Sequence, residues 1–79
     1  MADDRAQIEG RYSNHFEIGQ NAFEFLLEFG QSYEGPEQNT LVHTRIILNP
    51  FYAKNFSEML RKSVCRYEAH YGAIPNEEP

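Results

Sequence analysis

The chain has 79 residues, a net charge of −5 and one cysteine, which limits it to a single small domain and excludes a disulfide scaffold. Its hydrophobic content of 41% and aromatic content of 14% are typical of a folded domain rather than a disordered tail. The acidic charge disfavours a nucleic-acid-binding domain, and no apolar run approaches the roughly 18 residues that a membrane span needs.

Both ends of the chain are polar. Residues 1–10 are expected to be flexible and lack the positive charge of a secretory signal, and residues 73–79 form an acidic tail. A single α+β domain is therefore expected over residues 11–72. A lone unpaired cysteine suits the cytoplasm, which is the expected location.

Alternating apolar residues predict three strands. The first covers residues 11–18 and is followed by a turn at residues 19–21, where Gly and Asn tolerate positive φ. The second covers 22–30, and the third covers 40–48 after a Gly- and Pro-containing loop at 30–39. One face of the second and third strands is apolar and predicts the core: Phe23, Phe25, Leu27, Phe29, Val42, Ile46 and Leu48.

A helix is predicted over residues 50–71. Asn49 is a favourable N-cap, Pro50 suits the first helical position, and Gly72 suits the C-terminal cap. Apolar residues recur at steps of three and four between these signals. They form one stripe, here called the apolar stripe: Tyr52, Ala53, Phe56, Met59, Leu60, Ser63, Val64, Tyr67 and Tyr71.

The expected fold is a three-stranded antiparallel meander covered by one C-terminal helix. Antiparallel pairing would bring Arg45 and His43 opposite Glu24 or Glu28, a favourable match of charges. A domain of this size has marginal stability, and without disulfides or zinc-finger ligand spacing it is expected to gain stability as a homodimer.

Several short motifs resemble a family of prokaryotic proteins known as domain of unknown function 3467. They are FGQ at residues 29–31, RIILNP at 45–50, AK at 53–54, Leu60, and YEAHYG at 67–72, and their order and spacing carry the resemblance over residues 11–72. The family often has His where this chain has Tyr52. The resemblance implies a bacterial or archaeal cytosolic setting and no catalytic or ligand-binding residues.

No arrangement of residues predicts an enzyme, a metal or a cofactor. The histidines are scattered over different predicted elements, and Cys65 lies within the helix, away from the helix N-terminus that would favour a thiolate. The glutamates of the strands alternate without a second acid placed to share general acid and base roles. The Gly-containing loop lacks the Lys-Ser or Lys-Thr of a phosphate loop.

Charge is unevenly distributed along the chain. Residues 1–38 carry eight acidic and two basic side chains, whereas residues 39–71 carry five basic and two acidic ones. Four of these bases lie on the helix outside the apolar stripe and could meet an anionic partner: Lys54, Arg61, Lys62 and Arg66. A solvated helix face, with Glu58 and Lys62 as an i,i+4 pair, is the preferred explanation.

A second surface is suggested by apolar residues on the far side of the sheet. Leu26, Leu41 and Ile47 are expected to stand together there, opposite the helix, as a dimer or partner contact. Three functions follow: a non-catalytic homodimeric interaction module with an unidentified protein partner, a nucleic-acid-binding regulator using paired basic helices, or a carrier or enzyme with a cavity bordered by tyrosines.

Overall fold

The structure is a computed structural model that describes residues 5–37 and 39–77. The expectations for residues 1–4, residue 38 and residues 78–79 lie outside the described part of the chain. After a short 3-10 helix at Arg5–Gln7, the chain forms β1 (His15–Gln20), β2 (Phe25–Tyr33), β3 (Asn39–Leu48) and α1 (Pro50–Tyr71). The strands form one antiparallel sheet in the order β1-β2-β3. The predicted α+β class and the meander are therefore confirmed.

The strand bounds differ from the prediction at the start of the sheet. β1 begins at His15 rather than at residue 11, and β2 extends to Tyr33, through residues that were predicted to be a loop. Between them, Gly19 pairs with Leu26 inside the ladder, so the predicted turn at 19–21 is two residues too early. Asn21 makes the turn, because its Oδ1 accepts from the amides of Phe23 at 2.8 Å and Glu24 at 3.0 Å.

Residues 11–14 are bonded to the sheet although they are not a strand. The Ser13 hydroxyl donates to the Gly30 carbonyl at 2.9 Å and accepts from the Gly30 amide at 3.2 Å. The Asn14 Oδ1 accepts from the Ser32 amide at 2.8 Å. Side-chain bonds of Ser13 and Asn14, together with one backbone bond from the Asn14 amide to the Gly30 carbonyl at 3.0 Å, thus continue the attachment to β2 before His15.

A β-bulge interrupts the pairing of β2 with β3. Phe29 pairs with Thr44, but the next residue, Gly30, pairs with Val42, so His43 is the extra residue. His43 is held from outside the ladder: Arg11 donates to its carbonyl at 3.2 Å, and its Nε2 lies 2.9 Å from the Tyr12 carbonyl oxygen.

The bulge also changes which face the start of β3 presents. Leu41 pairs with Gln31, which alternation places on the same face as Leu27 and Phe29, whereas Ile47 pairs with Leu26 on the opposite face. The expected grouping of Leu41 with Leu26 and Ile47 is therefore not seen. Val42, predicted to face the core, pairs with Gly30 and takes the opposite side from Phe29.

The helix begins and ends as predicted. The Asn49 Oδ1 accepts from the Tyr52 amide at 2.9 Å, and Pro50 occupies the first helical position. At the other end, Gly72 has φ of 99°, and its amide donates to the Glu68 carbonyl at 2.9 Å. A positive φ there favours glycine, which explains why α1 stops at Tyr71.

Within one chain the helix covers only part of the sheet. Backbone contact between α1 and the sheet is mainly with β3, the strand that α1 follows, and no residue of α1 is buried. Leu27, which is 9% exposed, is the only buried hydrophobic residue in the described part of the chain. The radius of gyration is 15.6 Å, against about 12 Å for a compact domain of this length.

Replacing Gly30 by Ala is expected to destabilise the fold. A Cβ at this position would meet the Leu41 carbonyl and would lie 2.9 Å from the Val42 Cα, both backbone atoms that cannot move aside. We expect a loss of about 1–3 kcal/mol in the free energy of unfolding, measured by urea denaturation. Gly19→Ala is the control, since a Cβ there meets nothing within 4 Å. Equal stability of the two variants would contradict the close approach at the bulge.

The N-cap of α1 gives a second prediction. Asn49→Ala removes the acceptor of the Tyr52 amide, so we expect a loss of about 0.5–2 kcal/mol in the free energy of unfolding. Asn55→Ala is the matched control, because Asn55 is an exposed residue inside α1 and Ala is the better helix former. If Asn55→Ala is as destabilising as Asn49→Ala, the cap is not what holds the start of the helix.

Candidate interaction surface

The apolar stripe of α1 is exposed along the length of the helix. The sequence predicted it as the helix side of a buried core, but apart from the half-buried Ala53 its members are all exposed. Met59 is 64% exposed and Tyr71 is 72% exposed. Such a continuous apolar surface on a helix is typical of a contact with another protein surface.

A groove separates the stripe from the sheet. It has a volume of about 610 Å³ and is open along one side. Its sheet wall is one apolar face, here called face A, which contributes Ile18, Phe25, Leu27 and Leu48. Its helix wall includes Ala53, Phe56 and Leu60 of the stripe, with Lys54, Glu58 and Arg61 also lining it. The sequence predicted Phe25, Leu27 and Leu48 as core, but in one chain they line a surface groove.

The groove uses only the first half of α1. The last helix residue that lines it is Arg61, so about three turns of α1 continue to Tyr71 beyond the groove. Beyond Arg61 the stripe carries Val64, Tyr67 and Tyr71, and Ile74 lies against its end. The Ile74 amide donates to the Glu68 carboxylate at 2.9 Å, which holds the chain after Gly72 near the helix.

Face A continues beyond the groove towards β1. Phe16 and Phe29 form an edge-to-face pair with ring centroids 5.8 Å apart, a favourable arrangement for aromatic rings. Phe16, Ile18 and Ile46 are nevertheless all exposed, with exposed fractions of 60%, 68% and 42%. Face A thus presents its own apolar area next to the helix that fails to cover it.

The opposite face, face B, is mostly polar. The Arg45 guanidinium donates to the Glu28 carboxylate at 2.6 and 2.9 Å, as the cross-strand pairing of Glu28 with Arg45 predicted. Glu17 and His15 form a second polar contact on β1, at 3.2 Å. The apolar part of face B consists of Leu26, its cross-strand neighbour Ile47, and Val42, which pairs with Gly30. Face B thus carries fewer large apolar side chains than the stripe or face A.

The four predicted bases, Lys54, Arg61, Lys62 and Arg66, are all exposed on α1. Arg61 is held by Glu58, at 3.2 Å from its carboxylate, which raises the pKa of the guanidinium through the hydrogen bond and charge of Glu58. The expected pairing of Glu58 with Lys62 is thus replaced by an i,i+3 pair with Arg61. Glu58 therefore places a negative charge beside the basic residues.

The remaining candidate chemistry is sparse. Cys65 is exposed on α1 and unpaired. Across the described residues, no three or more His, Cys, Asp or Glu side chains are grouped in a way that would hold a metal ion. None of the helices in residues 5–37 and 39–77 has the length and apolar character to cross a bilayer.

Comparison with known proteins identifies a family but no function. The family model described as protein of unknown function (DUF3467) matches residues 2–76 of the chain. This match confirms the resemblance that the motifs indicated. No curated protein and no solved structure matches the chain significantly.

Proposed function

The chain belongs to the DUF3467 family, and we propose that it is a small, non-catalytic interaction module that works as a homodimer. In this role it presents surfaces to an unidentified protein partner, as an adaptor or regulator in a prokaryotic cytoplasm. The single observation that carries the proposal is the amount of apolar surface that one chain leaves exposed.

The area can be compared with that of a compact domain. The chain has an accessible surface of 7568 Å², whereas a compact protein of its mass would expose about 4,900 Å². The difference is about 2,600 Å² per chain, and it includes the exposed terminal segments 5–12 and 72–77 as well as the stripe and face A. Obligate homodimers bury about 2,000–5,000 Å² in total, shared between the two subunits, so an interface of that class would remove much of this excess.

A second copy of the chain is the partner that this surface favours. Each chain exposes apolar surface on both the stripe and face A. Two identical chains can therefore bury these surfaces against each other in one symmetric contact. Each large apolar side chain that becomes buried contributes about 1.5–3 kcal/mol. Burial of a few such residues supplies the stability that Leu27 and its neighbours cannot supply alone.

The proposal of a non-catalytic role rests on how the charged side chains are arranged. Glu28 is paired with Arg45 and Glu58 with Arg61, each a carboxylate bonded to a guanidinium. Arginine does not lose its proton in the physiological range. We therefore assign both pairs to stabilisation of the surface rather than to catalysis.

The homodimer can be tested directly by sedimentation equilibrium at micromolar concentration. We expect a species of twice the 9.2 kDa chain mass. Because folding would be linked to association, the midpoint of thermal unfolding should rise with protein concentration. A 9.2 kDa species whose unfolding midpoint is independent of concentration would refute the proposal.

The alternative function, nucleic-acid binding by paired basic helices, makes a different prediction. The net charge of −5 and the carboxylate of Glu58 oppose the phosphate backbone, so we expect no binding of duplex DNA even at low salt. Fluorescence anisotropy with labelled DNA measures this. Binding that weakens with salt and is lost when Arg61, Lys62 and Arg66 are replaced by Ala would favour the alternative instead.

A further inference from the structure

We propose that the two copies of the chain join through α1, so that the helix of each copy lies in the groove of the other. This inference rests on the proposed homodimer and specifies its geometry. It differs from a dimer formed through Leu26 and Ile47 on face B, which would leave the stripe and the groove exposed. The occupant of the groove is thus a second copy of this chain.

The position of the stripe on α1 carries the first step. Ala53, Phe56 and Leu60 belong to both the stripe and the lining of the groove. One edge of the stripe therefore faces the groove, and the rest of the stripe lies beside it. The groove extends from there across face A to Ile18 on β1. A second helix placed beside α1 in this groove contacts the stripe on one side and face A beneath.

The length of α1 carries the second step. The last three turns of each helix lie beyond the groove of their own chain, and they carry Val64, Tyr67 and Tyr71, which are all exposed. In an antiparallel pair of helices the two sheets lie at opposite ends. The last turns of each helix then reach the face A of the partner, whereas a parallel pair would place both sheets at the same end.

Symmetry then predicts which residues meet. Two stripes that overlap along their whole length, with the two-fold axis at their middle, place Leu60 against the partner's Ser63. The same register places Phe56 against the partner's Tyr67 and Tyr52 against the partner's Tyr71. A small residue, Ser63, thus lies near the axis, where the two helices come closest, and aromatic residues lie further out.

Charge substitution on α1 tests this geometry. Met59→Glu places a carboxylate in the stripe, and Ala69→Glu places the same charge on an exposed position outside it. By sedimentation, we expect Met59→Glu to weaken the dimer by at least tenfold and Ala69→Glu to leave it unchanged. Circular dichroism of each variant reports whether the helix and sheet are retained.

A third variant distinguishes the proposed pairing of the helices from the existence of a homodimer. Ile47→Glu charges the exposed apolar part of face B, where Ile47 is 59% exposed, and we expect it to remain a dimer. If Ile47→Glu dissociates the protein and Met59→Glu does not, the homodimer stands and the helix pairing is wrong. A wild-type protein that is monomeric overturns both.

Cross-linking covers the case in which Met59→Glu fails to fold. The variant Ser63→Cys with Cys65→Ser carries one thiol near the proposed axis, and the wild-type protein carries its one thiol, Cys65, on the helix side away from the stripe. With a short bismaleimide we expect a covalent dimer from the variant and little from the wild-type protein. Equal cross-linking of both, or none in the variant, contradicts the pairing of the helices.

Discussion

The direct junction between β3 and α1 is the constraint on which the rest of the structure depends. Leu48 ends the strand, Asn49 caps the helix and Pro50 starts it, so no flexible linker separates the two elements. The first turn of α1 is therefore fixed to one corner of the sheet. From this corner the 22 residues of α1 span about 33 Å, and in one chain they leave Phe16, Ile18 and Ile46 of face A exposed.

This constraint explains why a chain with a well-formed apolar pattern has almost no buried core. The stripe and face A have the spacing of core elements, yet only Leu27 is buried among the hydrophobic residues that the structure describes. In the proposed homodimer, this pattern forms one core that is shared between two molecules. On the proposed assembly, folding and association are one process, and the partner-binding surface consists of what the pair leaves exposed.

The sequence predicted the helix more accurately than the strands, for physical reasons. Both ends of α1 are set by local interactions of Asn49, Pro50 and Gly72. These residue types are recognisable as helix start and stop signals from the sequence alone. The start of β1 depends on Ser13 and Asn14 bonding to β2 through their side chains, and the bulge depends on Gly30 lying against the backbone of β3. Neither the start of β1 nor the bulge produces a periodic pattern in the sequence. The face of Leu41 could not be predicted for the same reason, since one extra residue at His43 reverses the alternation. The stripe was recognised, but its exposure follows from the position of the whole helix.

The bulge at His43 affects how the sheet can grow. A regular outer strand of ten residues offers a row of unpaired amides and carbonyls, and identical strands can add to it without limit. The extra residue bends and twists β3 in its middle, and Arg11 bonds to the carbonyl at that point. Strand-to-strand addition is thereby discouraged at this edge.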